Sequence, residues 1–65
     1  MLKINGSVEN QYVGKTIAQL LNDKNAALEN IVLEHNGKIL QRERFVDTFI
    51  HNDDQIEIIS FVGGG

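Results

Sequence analysis

Two Asn-Gly dipeptides limit the folds open to this chain more than any other feature. Asn5-Gly6 and Asn36-Gly37 each lie between short segments in which apolar and polar residues alternate. Asn and Gly both tolerate the positive φ that a type I′ turn requires, and this turn joins neighbouring antiparallel strands. The sequence therefore predicts two β-hairpins.

The strands of these hairpins differ in how clearly they are patterned. Residues 1–5 place Leu2 and Ile4 on one face, as in a half-buried strand. The return strand is predicted over residues 8–13, where apolar residues fall on both faces, so its register stays open. In the second hairpin, Ile31 and Leu33 form the core side, and residues 38–40 return.

A short helix is predicted between the hairpins, beginning at Ile17. Thr16 and Gln19 have the spacing of a capping box, in which each side chain accepts a hydrogen bond from the other residue's amide. Apolar residues at i, i+3 and i+4 from Ile17 form one stripe. The helix ends around residues 24–25 and must pack on a sheet, because isolated helices of this length are unstable. Leu28 is expected to tuck under the following loop.

The last third of the chain leads into a final strand. Apolar residues in the segment 41–46 have the spacing of neither a helix nor a strand, which predicts a short helical turn or a loop anchored by Phe45. Residues 48–50 are a brief edge strand or an apolar plug, 51–54 a turn, and 55–61 the final strand.

Together these elements predict an α+β fold, a mixed sheet of four to five strands with one main helix packed on one face. The final strand is expected to be central, beside the first. The predicted core comprises Leu2, Ile4, Ile17, Leu20, Leu21, Leu33, Ile56 and Ile58. Ile59 and Phe61 would then project from the opposite face, where exposed apolar residues predict a partner-docking surface.

The sequence ends in Gly63-Gly64-Gly65, directly after the apolar strand. Glycine lacks a Cβ, so such a segment can thread a narrow channel and present an unshielded acyl carbon. We therefore divide the chain into a folded domain, residues 1–62, and a flexible substrate tail, residues 63–65. The alternative is a frayed terminus, although frayed tails are usually polar.

Composition excludes several classes of function. With 65 residues the chain leaves no room for an enzyme cleft, and without cysteine it has no thiol nucleophile. A net charge of −3 argues against a nucleic-acid partner. No apolar run approaches the ~18 residues of a membrane span and no signal peptide is evident, so we expect a cytoplasmic protein that is not membrane-bound.

Other candidate sites are weak. His35 and His51 lie on different predicted elements without a carboxylate pattern, so no metal site is predicted. Asp53-Asp54 is expected to be a solvated turn rather than a catalytic pair. Arg42 and Arg44 fit a partner contact or a solvated loop equally well.

The whole chain resembles the ThiS family, the ubiquitin-like sulfur carriers of bacterial thiamin biosynthesis. The resemblance rests on Asn36-Gly37, Ile39, Arg42, residues 54–58 and the terminal residues 61–65. Two positions depart from the family pattern: Asp53-Asp54 replaces a usual Gly-Asp, and Phe45 a frequent Trp. The resemblance implies the β-grasp fold of ubiquitin.

It also implies a function as protein co-substrate rather than enzyme, with no catalytic residue and no cofactor bound by this chain. An E1-like adenylating enzyme would use MgATP to adenylate the Gly65 carboxylate. A persulfide-bearing sulfur donor would convert it to a thiocarboxylate, from which thiazole synthase takes sulfur. Ile59, Phe61 and Val62 would dock on these partners, while Gly63 and Gly64 thread into their active sites.

Alternatives remain open. The chain fits a related carrier for molybdopterin or tRNA thiolation, or a ubiquitin-like modifier of proteins. It also fits a non-catalytic β-grasp binding module whose tail is a linker remnant.

Overall fold

The computed structural model describes residues 1–61. The predicted boundary between residues 62 and 63 therefore lies outside the described residues. The elements in chain order are β1 (Lys3–Ile4), β2 (Ser7–Val8), α1 (Ile17–Asp23), β3 (Ile31–His35), β4 (Lys38–Leu40) and β5 (Gln55–Ser60), with 3₁₀ turns at Asn10–Tyr12, Leu28–Asn30 and Arg42–Arg44.

The five strands form one mixed sheet in the order β2-β1-β5-β3-β4. β5 is central; it runs parallel to β1 and antiparallel to β3, while the two hairpin pairs are antiparallel. The predicted architecture and the central place of the last strand are confirmed.

Both Asn-Gly turns form as predicted. Asn5 and Gly6 have φ of 50° and 83°, and Asn36 and Gly37 have 53° and 84°. Positive φ at both central residues is the property of a type I′ turn, whose twist matches that of the flanking strands.

The predicted strand over residues 8–13 is wrong. β2 ends at Val8, and residues Asn10–Tyr12 form a 3₁₀ turn. The Asn10 side chain accepts the Leu2 amide at 2.9 Å, a bond that a strand backbone would otherwise make. The chain thus leaves the sheet, and Tyr12 enters the core with 7% of its surface exposed.

The helix begins as predicted. Thr16 Oγ1 accepts the Gln19 amide at 3.1 Å, and Gln19 Oε1 accepts the Thr16 amide at 2.8 Å, so the capping box is complete. The helix ends at Asp23, and Asn25 at φ 55° turns the chain away.

The core lies between this helix and one face of the sheet. Seven of the eight predicted core residues are buried, and Ile58 is partly buried against them. The buried cluster also includes Tyr12, Ile31, Phe45 and Ile50.

Two further predictions have opposite outcomes. Leu28 does not pack under the following loop. It is the first residue of the 3₁₀ turn Leu28–Asn30, in which the Asn30 amide donates to the Ala27 carbonyl, and it is 38% exposed. In residues 41–50, Phe45 is the buried anchor after the turn Arg42–Arg44. Ile50 is an apolar plug, 1% exposed, in a segment that forms no named strand but bonds to the backbone of residues 14–17 around a single bridge between Thr16 and Phe49.

Candidate docking surface

The sheet face opposite the helix carries the residues predicted to dock on a partner. Side chains alternate along β5, so Ile56 is buried whereas Ile59 is 46% exposed. Phe61, immediately after the strand, is 49% exposed and donates its amide to the Asn30 carbonyl at 3.0 Å. The structure thus places both residues outward, and their docking role stays a prediction.

Neighbouring strands extend this surface. Ile59 pairs with Val32 of β3, Glu57 pairs with Glu34, and Glu34 pairs on its other side with Ile39 of β4. Residues paired across strands point to the same face. We call this surface the outer sheet face and define it by six residues: Val32, Glu34, Ile39, Glu57, Ile59 and Phe61.

Both Asn-Gly turns form hydrogen bonds with β5, the strand that carries part of this face. The Asn5 side chain accepts the Ile58 amide at 2.7 Å and donates to the Ile58 carbonyl at 3.2 Å. On the other side of β5, Asn36 Oδ1 accepts the Gln55 amide at 2.8 Å, and the Asn36 amide donates to the Gln55 carbonyl at 2.8 Å. Asparagine side chains thus supply both hydrogen bonds at Ile58 and one of the two at Gln55, so that β5 is bonded to a turn on each side.

The prediction of a solvated Asp53-Asp54 turn is wrong for Asp54. Asp53 is exposed and pairs with the amino group of Met1, but Asp54 is 8% exposed. The Asp54 carboxylate bonds to His35 Nε2 at 2.8 Å, Asn36 Nδ2 at 3.0 Å and the His51 amide at 2.9 Å.

These contacts set the protonation state of Asp54. Burial favours the neutral acid, but the hydrogen bonds from Asn36, His35 and the His51 amide outweigh it and lower the pKa of Asp54 below its ordinary value of 3.8. Asp54 therefore ties the second hairpin to the start of β5 as a carboxylate. The sequence offered no signal for the contacts with His35 and Asn36, because these two donors lie 19 and 18 residues before Asp54, and only the His51 amide is local.

The histidines do not form a metal centre with it. His35 is brought to Asp54, contrary to the expectation that it has no carboxylate nearby, whereas the His51 side chain is exposed. Across residues 1–61, no group of three His, Cys, Asp or Glu side chains is arranged to hold a metal ion.

A second polar cluster joins the first 3₁₀ turn to the helix end. The Tyr12 hydroxyl donates to the Asp23 carboxylate, and Lys24 bonds to Glu9 at 2.9 Å while lying 5.5 Å from the Tyr12 ring centroid. The hydrogen bond to Asp23, then burial, then the charges of Asp23 and Glu9 raise the pKa of Tyr12 to about 12.

The remaining predicted site residues are two arginines, both exposed, and four residues at the end of the sequence. Arg44 forms an exposed ion pair with Asp47 at 3.3 Å, and Arg42 is also exposed. Val62, Gly63, Gly64 and Gly65 lie outside the described residues.

No helix within residues 1–61 has the length and apolar content needed to cross a membrane.

A five-stranded mixed sheet holding one helix, with β1 and the last strand parallel at its centre, defines a ubiquitin-like β-grasp domain. Its candidate site is an exposed sheet face that includes Phe61, the last described residue. Residues 2–65 match the model of the ThiS family, and the chain belongs to that family.

Individual relatives agree with this assignment. The chain is 35% identical over 66 residues to the sulfur carrier protein ThiS of Bacillus subtilis, covering all of both chains. It is also similar to a crystal structure of the thiamine biosynthesis protein ThiS from Geobacter metallireducens, with a TM-score of 0.78 and 31% identity over 98% of this chain and 97% of that one.

A longer relative is similar over a segment of its length. The chain is 33% identical over 64 residues to a thiazole synthase of Magnetococcus marinus, a match that covers 98% of this chain and 20% of the synthase. The chain thus spans about a fifth of the length of the thiazole synthases that it matches.

Proposed function

We propose that this chain is a sulfur carrier whose Gly65 carboxylate is activated and converted to a thiocarboxylate for the thiazole of thiamin. The observation that carries the proposal is the exposed apolar pair formed by Ile59 on β5 and Phe61 immediately after it, in a sequence that continues through Val62 into Gly63-Gly64-Gly65. Membership of the ThiS family supports the same function.

The activation step requires an adenylating partner that binds MgATP. A Gly65 carboxylate oxygen attacks the α-phosphorus, the bond to the β-phosphate oxygen breaks, and pyrophosphate leaves. The product is an acyl-adenylate, in which AMP is a good leaving group. The chain itself supplies an acyl carbon without a neighbouring Cβ, and no catalytic side chain.

Sulfur transfer follows from the acyl-adenylate. The terminal sulfur of a partner's persulfide attacks the acyl carbon and AMP leaves, so that an acyl disulfide joins carrier and donor. A partner thiol then reduces the S–S bond, which leaves a thiocarboxylate on Gly65 and a disulfide on the partner. No step needs a thiol on the carrier, whose sequence has no cysteine.

The folded domain and the glycine tail have different roles, docking on the partner and entering its active site. Ile59, Phe61 and Val62 contact the partner, while Gly63 and Gly64 occupy the channel to its active site. At about 3.3 Å per residue, the four residues from Val62 to Gly65 reach roughly 13 Å. Thiazole synthases that contain a segment similar to this chain support thiazole synthase as the acceptor.

Intact mass spectrometry tests the proposal. The purified chain is weighed before and after incubation with the adenylating enzyme, MgATP and a sulfur donor, and fragments locate any change. We expect one oxygen to be replaced by sulfur at Gly65, and no change without ATP or in a chain lacking Gly64 and Gly65. An unchanged mass with a partner that loads another carrier would contradict the proposal.

A further inference from the structure

A like-charge pair lies at the middle of the outer sheet face. Glu34 of β3 and Glu57 of β5 are direct cross-strand partners. Backbone hydrogen bonds join Asn36 to Gln55 and Phe61 to Asn30. Hydrogen-bonded and non-hydrogen-bonded residue pairs alternate along antiparallel strands, so Glu34–Glu57 is a hydrogen-bonded pair. Such partners have Cα atoms about 5.5 Å apart and side chains on the same face.

Nothing in the described part of the chain neutralises this pair. Neither carboxylate is in an ion pair within residues 1–61. Lys3 is the nearest cation by register, since it pairs with Gln55, two residues before Glu57 on the same face, but it makes no such contact. Like charges directly opposite each other destabilise a sheet, so the isolated domain gains no stability from having both.

Apolar side chains lie on two sides of the pair. Ile39 lies beside Glu34 and is 64% exposed, while Ile59 and Phe61 follow Glu57 along the strand and are about half exposed. When a partner covers this face, the carboxylates lose water and need a counter-charge. A complementary surface is therefore apolar with a basic side chain near its centre.

We propose that Glu34 and Glu57 jointly bind an arginine or lysine of thiazole synthase when the carrier docks through its outer sheet face. This inference rests on the proposed function and adds the charge that selects the partner. Thiazole synthase is chosen because a segment similar to this chain and the rest of the synthase share one polypeptide in two relatives. The same face leads along β5 and Phe61 into the tail that must enter the synthase.

Binding of thiazole synthase to the unloaded carrier tests the proposal directly. Calorimetry would compare the wild type with Glu34→Gln, Glu57→Gln and the double variant at two salt concentrations. We expect each single change to weaken binding roughly tenfold, since a charge-assisted hydrogen bond is lost while the other carboxylate remains. Binding by the double variant should also depend less on salt.

Asp47→Asn is the matched control. It removes the same charge from an exposed position in the segment after Phe45, outside the sheet, and should leave the dissociation constant unchanged. Urea unfolding checks that the glutamine variants fold. Their midpoints should equal or exceed that of the wild type, because the repulsion is relieved.

Equal affinity of the glutamine variants and Asp47→Asn would overturn the proposal. So would loss of thiocarboxylate formation together with unchanged synthase binding, which would assign the pair to the adenylating partner. Failure of the proposed function is a separate result: wild-type carrier would gain no sulfur, while the binding comparison on unloaded carrier would still decide the role of the pair.

Discussion

Asn5 binds Ile58 through both ends of its side-chain amide, which accepts the Ile58 amide at 2.7 Å and donates to the Ile58 carbonyl at 3.2 Å. A residue needed for a turn thereby also serves as the missing strand neighbour of β5. The two roles are separable, because glycine can occupy the turn but cannot make the side-chain bonds.

Asn5→Gly is therefore expected to lower the free energy of unfolding by about 1–2 kcal/mol, the net contribution of two hydrogen bonds. Urea denaturation measures this. Asn25→Gly is the control, since Asn25 has φ 55° but no side-chain hydrogen bond within residues 1–61, and it should change stability by only a few tenths of a kcal/mol. Equal effects of the two variants would show that the Ile58 contacts contribute nothing.

Asp54 predicts a loss of stability in acid. Its pKa is lower in the folded chain than the ordinary 3.8, so the folded state binds the proton less readily than the unfolded state. The stabilisation is complete well above pH 3.8 and is lost as the pH falls through the folded pKa.

Asp54→Asn should remove part of this acid dependence and cost roughly 1–3 kcal/mol at neutral pH, because the charged hydrogen bonds are lost. Chemical denaturation at a series of pH values compares the slopes. Asp53→Asn, in the same turn but exposed, should retain the wild-type acid profile. A steep profile retained in Asp54→Asn would exclude Asp54 as its source.

Tyr12 predicts the opposite limit, in alkali. Its pKa rises from 10.0 to about 12 in the folded chain, so its contribution to stability is complete below pH 10 and is lost as the pH rises towards 12. Tyr12→Phe should be less stable than the wild type at neutral pH and should lose less stability above pH 10. Spectrophotometric titration of the tyrosinate, with unfolding measured at each pH, provides the test, and a midpoint near 10 would contradict it.

The sequence predicted the elements whose signals are local. The Asn-Gly turns, the capping box at Thr16 and the alternation of Leu2 and Ile4 each depend on residues within a few positions of one another. Their outcome follows from short-range sterics and hydrogen bonding, which the neighbours alone determine. The outward position of Ile59 follows in the same way from the period of a strand.

The failures came where a distant residue decided the structure. The segment after β2 leaves the sheet because Asn10 bonds to Leu2 and Tyr12 to Asp23, which are 8 and 11 residues away in the sequence. Asp54 is charged and follows another aspartate, so we expected it to be exposed to solvent. Instead, His35 and Asn36, which lie 19 and 18 residues earlier, bind its carboxylate where it is buried. No local pattern in the chain encodes such pairings.

The docking role of Ile59 can be separated from general surface hydrophobicity. Ile59→Ser removes an apolar side chain that is 46% exposed on the outer sheet face, and Val46→Ser removes one that is 72% exposed outside the sheet. Both changes should alter stability by less than about 1 kcal/mol, because neither side chain is in the core. Docking through the outer sheet face would bury Ile59 but not Val46.

We expect Ile59→Ser to lower kcat/KM for thiocarboxylate formation roughly tenfold, since a central apolar contact in an interface contributes more than 1 kcal/mol. The measurement is the initial rate of thiocarboxylation by the adenylating enzyme as carrier concentration is varied. Because the tail chemistry is unchanged, saturating carrier should restore much of the rate, so the loss should appear mainly in KM. An equal loss for Val46→Ser, or a loss confined to kcat, would contradict a docking role for the outer sheet face.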